Sequence, residues 1–383
     1  MRRPARAFRR LYHLHPMRLG PLRMKPAAGQ QLGLELTPPR ALPVLDTLSR
    51  GATFRSLAVR RVLNPPESTG MGFWSLNPYV GCEFGCSYCY ARKTHEWTVD
   101  RASAGDPSLQ FSSGSRTAWQ AFEQEILVKH TAPDVLLRTL DPAKLAGAEL
   151  VIGTATDPYQ PAERRFLLTR RLLEALLHHK GLAIGLITKS PLITRDLDVL
   201  VQLAARHEVS VNISLISMDA ALLRRIEARS PAPHARIRAL ERLTRAGIRA
   251  GLLIAPILPG ITDSWASLAA LLEAARSARA AYVAGAPLRL GPASRAGFLP
   301  VLQQEFPDLV ARYQRRYGGQ VHAGRDYERA LGRRLRTLKE AFGFPPSNAM
   351  GRPRPEAALP LAPEPPDAPS APLPLLPPAV PVE

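Results

Sequence analysis

Cysteine is almost absent from this chain. It occurs three times in 383 residues, and all three cysteines lie in the stretch GCEFGCSYCYAR, residues 81–92. Disulfide-stabilised scaffolds are small, rich in cysteine and usually even in cysteine number, so an odd count in a long chain excludes that class. Apolar residues make up 45% of the chain, which suffices for a core without covalent links. Three thiols crowded together therefore indicate a metal site in a reducing, cytoplasmic setting.

Long apolar runs are also missing. The sequence nowhere contains about 18 consecutive uncharged apolar residues, so we expect no membrane span. Residues 1–25 are rich in arginine, but they lack acidic residues and the apolar core of a secretory signal. In composition they resemble a mitochondrial transit peptide, which is the alternative to the cytoplasmic location that we expect.

Acidic residues are outnumbered, 32 to 51, by lysine and arginine, which gives a formal net charge of +19. Such an excess indicates a polyanionic partner, although arginines on solvated helix surfaces produce the same balance. One basic segment, residues 313–339, interleaves Tyr313, Tyr317 and Tyr327 with arginines. This mixture suits phosphate contacts combined with base stacking, which makes DNA or RNA a candidate partner.

Proline marks the end of the ordered chain. Residues 345–383 contain 14 of the 38 prolines, a density that blocks both helix and sheet and predicts a disordered tail. Residues 1–60 show little periodicity and are interpreted as a loose basic N-terminal extension. The remaining residues, 61–344, are predicted to form one domain, with a core over about 73–290 and a basic helical segment over about 297–342.

Within this domain short β-rich runs alternate with helical patterns. Six strands are predicted: WSLNPYVG (74–81), ELVIG (149–153), LAIGLITK (182–189), VSVNISL (209–215), RAGLLIAP (249–256) and AAYVAGAPL (280–288). Helices are predicted over residues 132–140, 163–179, 194–207, 234–246 and 264–280, and FEQEILVK (122–129) fits either a strand or a helix. This alternation predicts parallel pairing in a partial barrel or an open α/β sheet. In both architectures ligands bind at the carboxyl ends of the strands.

The cysteine loop follows the first predicted strand. Cys82, Cys86 and Cys89 have the spacing Cys-x3-Cys-x2-Cys, and Gly81 and Gly85 allow the backbone to turn tightly between them. A structural zinc ion requires four ligands, and His95 is near enough in sequence to be the fourth. Three thiolates can instead hold a cubane iron–sulfur cluster, which leaves the fourth iron open to a ligand that is not protein.

With Tyr88 directly before the last cysteine, this run resembles the CxxxCxxC signature of the radical S-adenosylmethionine (radical SAM) superfamily. The resemblance implies a partial (β/α)6 barrel of the TIM type. It also implies a 4Fe-4S cluster held by Cys82, Cys86 and Cys89, with S-adenosylmethionine (SAM) bound at the open iron. One electron, supplied by a flavodoxin- or ferredoxin-like reductase, would then cleave SAM to a 5′-deoxyadenosyl radical.

Polar residues at later strand ends are candidates for binding SAM. Thr156 and Asp157 follow the second strand and could accept the methionyl ammonium, and Lys189 ends the third strand, where it could meet the carboxylate. Asn212 and Ser214 share one face of the fourth strand and could bind ribose hydroxyls. Alternatively, Asp157 and Pro158 form a turn and Thr156 is a capping residue, and Asn212 and Ser214 form a satisfied hydrogen-bond pair inside the fold.

Residues of about 60–290 resemble one branch of the superfamily, which contains spore photoproduct lyase and DNA repair photolyase-like bacterial relatives. The shared segments are GCEFGCSYCYAR, TDPYQPAE, TKSPLITRDLD, NISL, SPAPHARIRAL and PILPGITD. In the lyase, the counterparts of Lys189 and Ser214 contact SAM. The lyase also uses a cysteine as hydrogen donor where this chain has Thr154, whose O–H bond is too strong for that role. Tyr159 or another tyrosine would have to replace it.

These observations predict a lyase-like radical SAM enzyme that acts on a nucleic acid, by repair or by base modification. A radical SAM enzyme that acts on a small molecule or a protein is the alternative. A more remote alternative is a nucleic-acid-binding protein that is not an enzyme and contains a structural metal.

Overall fold

The structure is a computed structural model that describes residues 44–47, 52–70, 72–94 and 118–346. The chain divides into two units, Met1–Pro38 and Pro39–Glu383, and all described residues belong to the second. Most of the predicted N-terminal extension, and all but the first two residues of the predicted tail, therefore lie outside the described residues.

The strands and helices alternate through most of the described chain. The strands are β1 (Val44–Thr47), β2 (Thr53–Ser56), β3 (Leu63–Asn64), β4 (Trp74–Leu76), β5 (Tyr79–Val80), β6 (Glu125–Val128), β7 (Glu149–Ile152), β8 (Ala183–Thr188), β9 (Glu208–Ser214), β10 (Ala250–Ile257) and β11 (Val283–Pro287). The helices are α1 (Pro66–Thr69), α2 (Ala118–Gln124), α3 (Ala132–Thr139), α4 (Glu163–Phe166), α5 (Leu168–Leu176), α6 (Leu197–Ala204), α7 (Ala220–Ile226), α8 (Pro233–Arg245), α9 (Trp265–Ser277), α10 (Pro292–Glu305), α11 (Val310–Tyr317) and α12 (Arg325–Ala341).

The main sheet has the strand order β11-β10-β9-β8-β7-β4-β3. The six strands from β4 to β11 are parallel to their neighbours and follow the order of the chain, while β3 pairs antiparallel at the β4 edge. Parallel strands with helices on them are buried, which explains the apolar runs in β7 and β10. The α/β fold with six parallel strands, which the sequence predicts, is confirmed.

A second sheet, with the order β1-β2-β6-β5, lies beside the cysteine loop. The segment FEQEILVK, for which the sequence left helix and strand open, contains both, because α2 ends at Gln124 and β6 begins at Glu125. Strands β1 and β2 come from the predicted N-terminal extension and join the domain through β6. The cysteine loop begins directly after β5, so this sheet helps to fix where the loop starts.

Two predicted elements are each divided into two. The predicted strand WSLNPYVG breaks between β4 and β5, because Pro78 has no N–H for a sheet ladder and the chain passes from one sheet to the other. The predicted helix over 163–179 breaks at Leu167, which has a left-handed backbone conformation with φ of 50°. The other four predicted helices agree with α3, α6, α8 and α9 to within three residues at each end.

The C-terminal helices pack over the carboxyl end of β11. Tyr313 and Tyr317 are buried with their ring centroids 5.6 Å apart, and Tyr313 also contacts Phe298 of α10. The base-stacking role predicted for Tyr313 and Tyr317 is therefore wrong, since both rings belong to the core. Within the described residues, the structure contains no helix with the length and apolarity required to cross a membrane.

Candidate active site

The cysteine loop lies at the carboxyl ends of the parallel strands. Cys82 and Cys86 are buried, Cys89 is partly exposed, and all three thiols are free. Gly81 and Gly85 have φ of 91° and 66°, a left-handed conformation that favours glycine and agrees with the tight turns predicted from the sequence. At Gly85 an added Cβ would lie 2.8 Å from the guanidinium of Arg229, so this arginine would have to shift.

One side of this loop is fixed by the segment after β7. The buried side chain of Gln160 accepts a hydrogen bond from the Glu83 amide at 3.0 Å and donates to the Gly81 carbonyl at 3.2 Å. The Thr156 hydroxyl donates to the same Gly81 carbonyl at 2.6 Å and accepts from Gln160 at 2.9 Å. The structure thus places Thr156 as a brace beneath the loop.

The other side of the loop is fixed by residues 226–230, at the end of α7 and directly after it. The Ser87 amide donates to the Ile226 carbonyl at 3.0 Å, in a short antiparallel bridge that pairs Cys86 with Glu227. The Arg229 guanidinium donates to the Glu83 carbonyl at 2.6 Å. The cysteine backbone is therefore held between two segments that lie far apart in sequence.

Glu227 is the centre of a buried polar cluster directly behind the cysteine loop. Its carboxylate forms an ion pair with Arg236, accepts a hydrogen bond from the Tyr88 hydroxyl, and lies 3.2 Å from the Lys189 ammonium. The same ammonium donates to the Ser214 hydroxyl at 3.1 Å and to Tyr88 at 3.3 Å. Three of the predicted site residues, Tyr88, Lys189 and Ser214, are thus brought together.

The charges in this cluster do not cancel. Burial alone would raise the pKa of Glu227, but Lys189 and Arg236 hold that pKa well below its usual range. Burial lowers the pKa of Lys189, but Glu227 and Cys86 together outweigh burial, and the pKa of Lys189 is raised. One carboxylate and two cations leave an excess positive charge next to Cys86.

Asp157 lies in the loop that follows β7, and its carboxylate is next to the backbone of Lys189, directly after β8. Its carboxylate accepts hydrogen bonds from the Tyr159 amide at 2.9 Å, the Thr188 hydroxyl at 2.6 Å and the Lys189 amide at 2.7 Å. A carboxylate has about four acceptor positions, so these contacts leave one for a further donor. Despite these bonds, burial raises the pKa of Asp157 above its ordinary value.

Asn212 is not part of this cluster. Its side-chain amide donates to the Leu186 carbonyl at 3.3 Å, and its oxygen accepts from the Tyr282 hydroxyl at 3.2 Å. The Tyr282 ring lies against Gly251, where an added Cβ would be 2.3 Å from it. Asn212 therefore lies deeper in the barrel than Ser214, although both residues share one face of β9.

The two candidate hydrogen donors differ in their surroundings. The Thr154 hydroxyl lies 2.7 Å from the Ser75 hydroxyl and 3.0 Å from the Asn77 amide, and the Thr154 carbonyl accepts a hydrogen bond from the half-exposed Tyr90. Tyr159 is 1% exposed, and its hydroxyl is buried next to the carboxylate of Asp196. The O–H of Tyr159 therefore cannot reach a substrate unless the structure opens locally.

The residues missed by sequence reasoning are Glu227, Arg236 and Gln160. Gln160 and Arg236 lie within the segments TDPYQPAE and SPAPHARIRAL, but nothing in either segment indicates that these two side chains are buried. Glu227 stands between Arg225 and Arg229, and an acidic residue among arginines is typical of a solvated helix surface. No signal in the sequence could have singled it out.

The donor set fits an iron–sulfur cluster better than a single metal ion. Among the described residues, no three Cys, His, Asp or Glu side chains converge as a single-ion site requires, and His95 lies outside that part of the chain. In a cluster each thiolate binds a different iron, so convergence is not needed. Burial raises the pKa of Cys86 to about 12, and the adjacent positive charge partly offsets the cost of a thiolate there.

Comparison with known proteins decides the family. The model of the Radical SAM superfamily matches residues 76–272, just over half of the chain, and includes the cysteine loop and the Glu227 cluster. The chain belongs to the radical SAM superfamily. SAM and an iron–sulfur cluster are the cofactors that this family implies, so enzymatic chemistry is favoured over a structural metal.

Relatives of this radical SAM protein occur in bacteria and archaea. An uncharacterized protein of Mycobacterium tuberculosis is 31% identical over 311 residues, which cover 81% of this chain and 86% of that protein. An uncharacterized protein of Methanocaldococcus jannaschii is 27% identical over 207 residues, 54% of this chain and 68% of that protein.

A solved structure of spore photoproduct lyase complexed with dinucleoside spore photoproduct has a TM-score of 0.54. It is 16% identical to this chain and covers 79% of this chain and 84% of its own. The two proteins therefore share a fold.

Proposed function

We propose that this protein is a radical SAM enzyme in which Cys82, Cys86 and Cys89 hold a 4Fe-4S cluster. The observation that carries the proposal is the placement of these three thiols, on a doubly braced loop at the carboxyl ends of six parallel strands, beside a net positive buried cluster. When bound, the iron–sulfur cluster supplies the electron that cleaves SAM to a 5′-deoxyadenosyl radical.

The residues around the loop suggest how SAM would be oriented. We assign the SAM carboxylate to Lys189 and Ser214, since both side chains lie at the strand ends and only one of the three contacts of the Lys189 ammonium is with a carboxylate, that of Glu227. For Ser214 this replaces the ribose contact expected from the sequence. The methionyl ammonium is assigned to the remaining acceptor position of Asp157, with Thr156 bracing the loop beside it. The ribose contact of Asn212 stays a prediction, because its amide already bonds to Tyr282 and Leu186.

Glu227 and Arg236 contribute by positioning. Arg236 donates to the Ser214 carbonyl at 2.9 Å and, with Glu227, forms a buried ion pair that orients the ammonium of Lys189 and the hydroxyl of Tyr88. A side chain held by several charge-assisted bonds loses little freedom when a ligand arrives, so the SAM pocket is preorganised.

A nucleic acid is the substrate that we propose. The formal charge of +19 favours a polyanion, and the protein shares its fold with a lyase whose solved complex contains a dinucleoside photoproduct. Lyase-like repair and base modification are the two reactions considered. A small-molecule or protein substrate is the alternative, and a flavodoxin- or ferredoxin-like reductase is the proposed electron source.

Hydrogen return by a cysteine is not part of this proposal. Thr154 occupies the position of the donor cysteine in the lyase, and all three cysteines of this chain are assigned to the cluster. Reversal of a thymine dimer by the lyase route therefore lacks its donor here.

Anaerobic reconstitution tests the proposal. Protein reconstituted with iron and sulfide should show a reducible cluster whose electron paramagnetic resonance spectrum changes when SAM is added. With dithionite and SAM, 5′-deoxyadenosine release should increase when single-stranded DNA or RNA is supplied. A spectrum that is insensitive to SAM contradicts the cofactor assignment, whereas release stimulated only by a small-molecule or protein fraction of cell extract favours the alternative substrate.

A further inference from the structure

A basic groove of about 350 Å³ lies between α11 and the start of α12, outside the cysteine loop and its buried cluster. We call it the arginine groove. Four arginines line it together with one aspartate and one partly buried tyrosine: Arg312, Arg315, Arg316, Arg325, Asp326 and Tyr327.

The two carboxylates bonded to lining residues do not pair with the arginines of the groove: Glu328 accepts a hydrogen bond from the Ala323 amide at 3.2 Å, and Asp263 accepts one from the Tyr327 hydroxyl. Arg312, Arg315 and Arg325 form no ion pair within the described residues, and Arg312 and Arg315 are exposed on α11. Asp326, the one acidic side chain in the lining, pairs instead with Arg329 at 2.8 Å. Several guanidinium groups without carboxylate partners in one concave surface are suited to phosphate, which they bind through charge-assisted, often bidentate hydrogen bonds.

Arg316 forms the floor of the groove. Its guanidinium carbon lies 4.3 Å from the centroid of the Tyr327 ring, and one of its nitrogens donates to the Ala323 carbonyl at 2.8 Å. Its Nε is buried and has no hydrogen-bond partner among the described residues. The ring and the carbonyl thus hold this arginine in place and leave donor capacity for a ligand.

The arginine groove lies at the same end of the sheet as the cysteine loop. Arg312 packs against Gly260, in the segment that follows β10, where an added Cβ would be 3.2 Å from the guanidinium. Tyr327 donates to Asp263 of that segment at 2.9 Å. The Tyr317 hydroxyl donates to the Leu288 carbonyl, directly after β11, at 3.0 Å. A polyanion in the groove would therefore lie at the carboxyl-end side of the barrel.

An exposed aromatic ring adjoins the groove. Trp265 begins α9, two residues after Asp263, and is 50% exposed. The guanidinium of Arg334 lies 5.3 Å from the centroid of its ring and donates to the Asp263 carbonyl, while the Arg334 Nε is buried without a partner in the described chain. Asp263 thus bonds both to Tyr327 of the groove and to Arg334, whose guanidinium lies against the Trp265 ring.

We propose that the arginine groove binds the phosphodiester backbone of a single-stranded stretch of nucleic acid, and that Trp265 stacks on one of its bases. A cationic track next to an exposed aromatic ring is the arrangement by which proteins bind single strands, because only an unpaired base offers its face. The inference rests on the nucleic-acid substrate proposed above, and it names where that substrate is held.

The test is fluorescence anisotropy with a short labelled oligothymidylate and the matching RNA, on anaerobically reconstituted protein. Arg312→Gln/Arg315→Gln should lower affinity and reduce the slope of log affinity against log salt by about 1.4, since each phosphate contact on a single strand contributes about 0.7. Arg238→Gln/Arg242→Gln, which removes two exposed arginines of α8, is the matched control and should leave the slope unchanged.

Trp265 is tested separately. Trp265→Ala should weaken binding about ten-fold without changing the salt slope, because a lost base stack is not an ionic contact. Trp265→Phe should restore most of the affinity. A duplex of the same sequence should bind more weakly than the single strand.

Two further measurements separate the groove from the chemistry. Cluster content and SAM cleavage without nucleic acid should be the same in all groove variants as in the wild type. If the wild-type protein itself binds no cluster and does not cleave SAM, the proposed function is contradicted, but the groove inference is not. Wild-type binding to oligonucleotides with no effect of the groove variants would overturn the inference. It would also be overturned if those variants lost binding to phosphatidylserine vesicles while they kept oligonucleotide binding.

Discussion

Glu227 and Arg236 form an ion pair in which neither side chain has any solvent-exposed surface. The pair lies behind the cysteine loop, and Glu227 also contacts Lys189, Tyr88 and Ser230. Taking two charges out of water is unfavourable, and the pair is retained only because each charge is compensated by the other and by further hydrogen bonds. The cluster therefore constrains the position of every group attached to it.

Removing the carboxylate of Glu227 should strongly destabilise the fold. Glu227→Gln preserves the shape of the side chain but leaves two cations uncompensated, and breaking a buried pair in this way costs about 3–5 kcal/mol. Urea unfolding of the reconstituted protein measures the change. Glu273→Gln, at an exposed pair with Arg276, is the control and should change stability by less than about 0.5 kcal/mol. An equally small effect at Glu227 would show that the pair does not hold the site together.

Gln160 should be required for the cysteine loop. In Gln160→Leu the buried amide of Glu83 loses its acceptor, which costs about 1–3 kcal/mol, and the loop is no longer tied to the segment after β7. We expect lower stability and less iron bound per protein after reconstitution. The control is Gln202→Leu, at an exposed position on α6. Unchanged iron content and stability would mean that the bridge to residues 226–230 suffices alone.

The fold could be predicted from the sequence to the extent that its signals are local. Six β-rich runs with helices between them predicted the parallel sheet, because a strand that is buried on both faces has a continuous apolar run in its sequence. The cysteine spacing likewise identified the loop. Glu227 and Arg236 could not be predicted, since each stands among exposed charged residues and becomes buried only when the segments around residues 86 and 189 fold against it.

The tyrosines of the C-terminal segment illustrate a second limit. Tyr313 and Tyr317 alternate with arginines in sequence, which suits either a nucleic-acid surface or one buried face of an amphipathic helix. The spacing of four residues puts both rings on the same side of α11, where they stack on each other and Tyr313 contacts Phe298. Only tertiary packing separates the two interpretations. The exposed ring of the region is Trp265, which does not belong to that segment.

Lys129 should give stability an unusual dependence on pH. Burial lowers its pKa to about 8, from about 10.4 in an unfolded chain. Between these values the unfolded chain binds more protons than the folded one, so the contribution of Lys129 to stability rises with pH. Lys129→Met should therefore have a higher free energy of unfolding than the wild type at pH 7, and this difference should be smaller at pH 10. Exposed Lys144→Met is the control, and an equal difference at both pH values for Lys129→Met would contradict the burial of this amine.

Asp157 and Lys189 should control SAM affinity without affecting iron. A charge-assisted hydrogen bond is worth about 1.5–3 kcal/mol, so Asp157→Asn and Lys189→Met should each weaken SAM binding about ten- to a hundred-fold. Anaerobic titration calorimetry on reconstituted protein measures this, with exposed Lys180→Met as the control. If both variants bind SAM as wild type does, the strand ends at residues 157 and 189 are structural only.

The central claim is that three thiols of one loop hold the cluster that cleaves SAM. Its most direct test is the release of 5′-deoxyadenosine under dithionite by wild type and by Cys82→Ala, Cys86→Ala and Cys89→Ala, each after identical anaerobic reconstitution. We predict release by the wild type alone, with circular dichroism showing that the variants remain folded. A folded single variant that keeps full cluster absorbance and cleaves SAM at the wild-type rate would contradict the assignment of that cysteine, and cleavage by all three variants would contradict the claim itself.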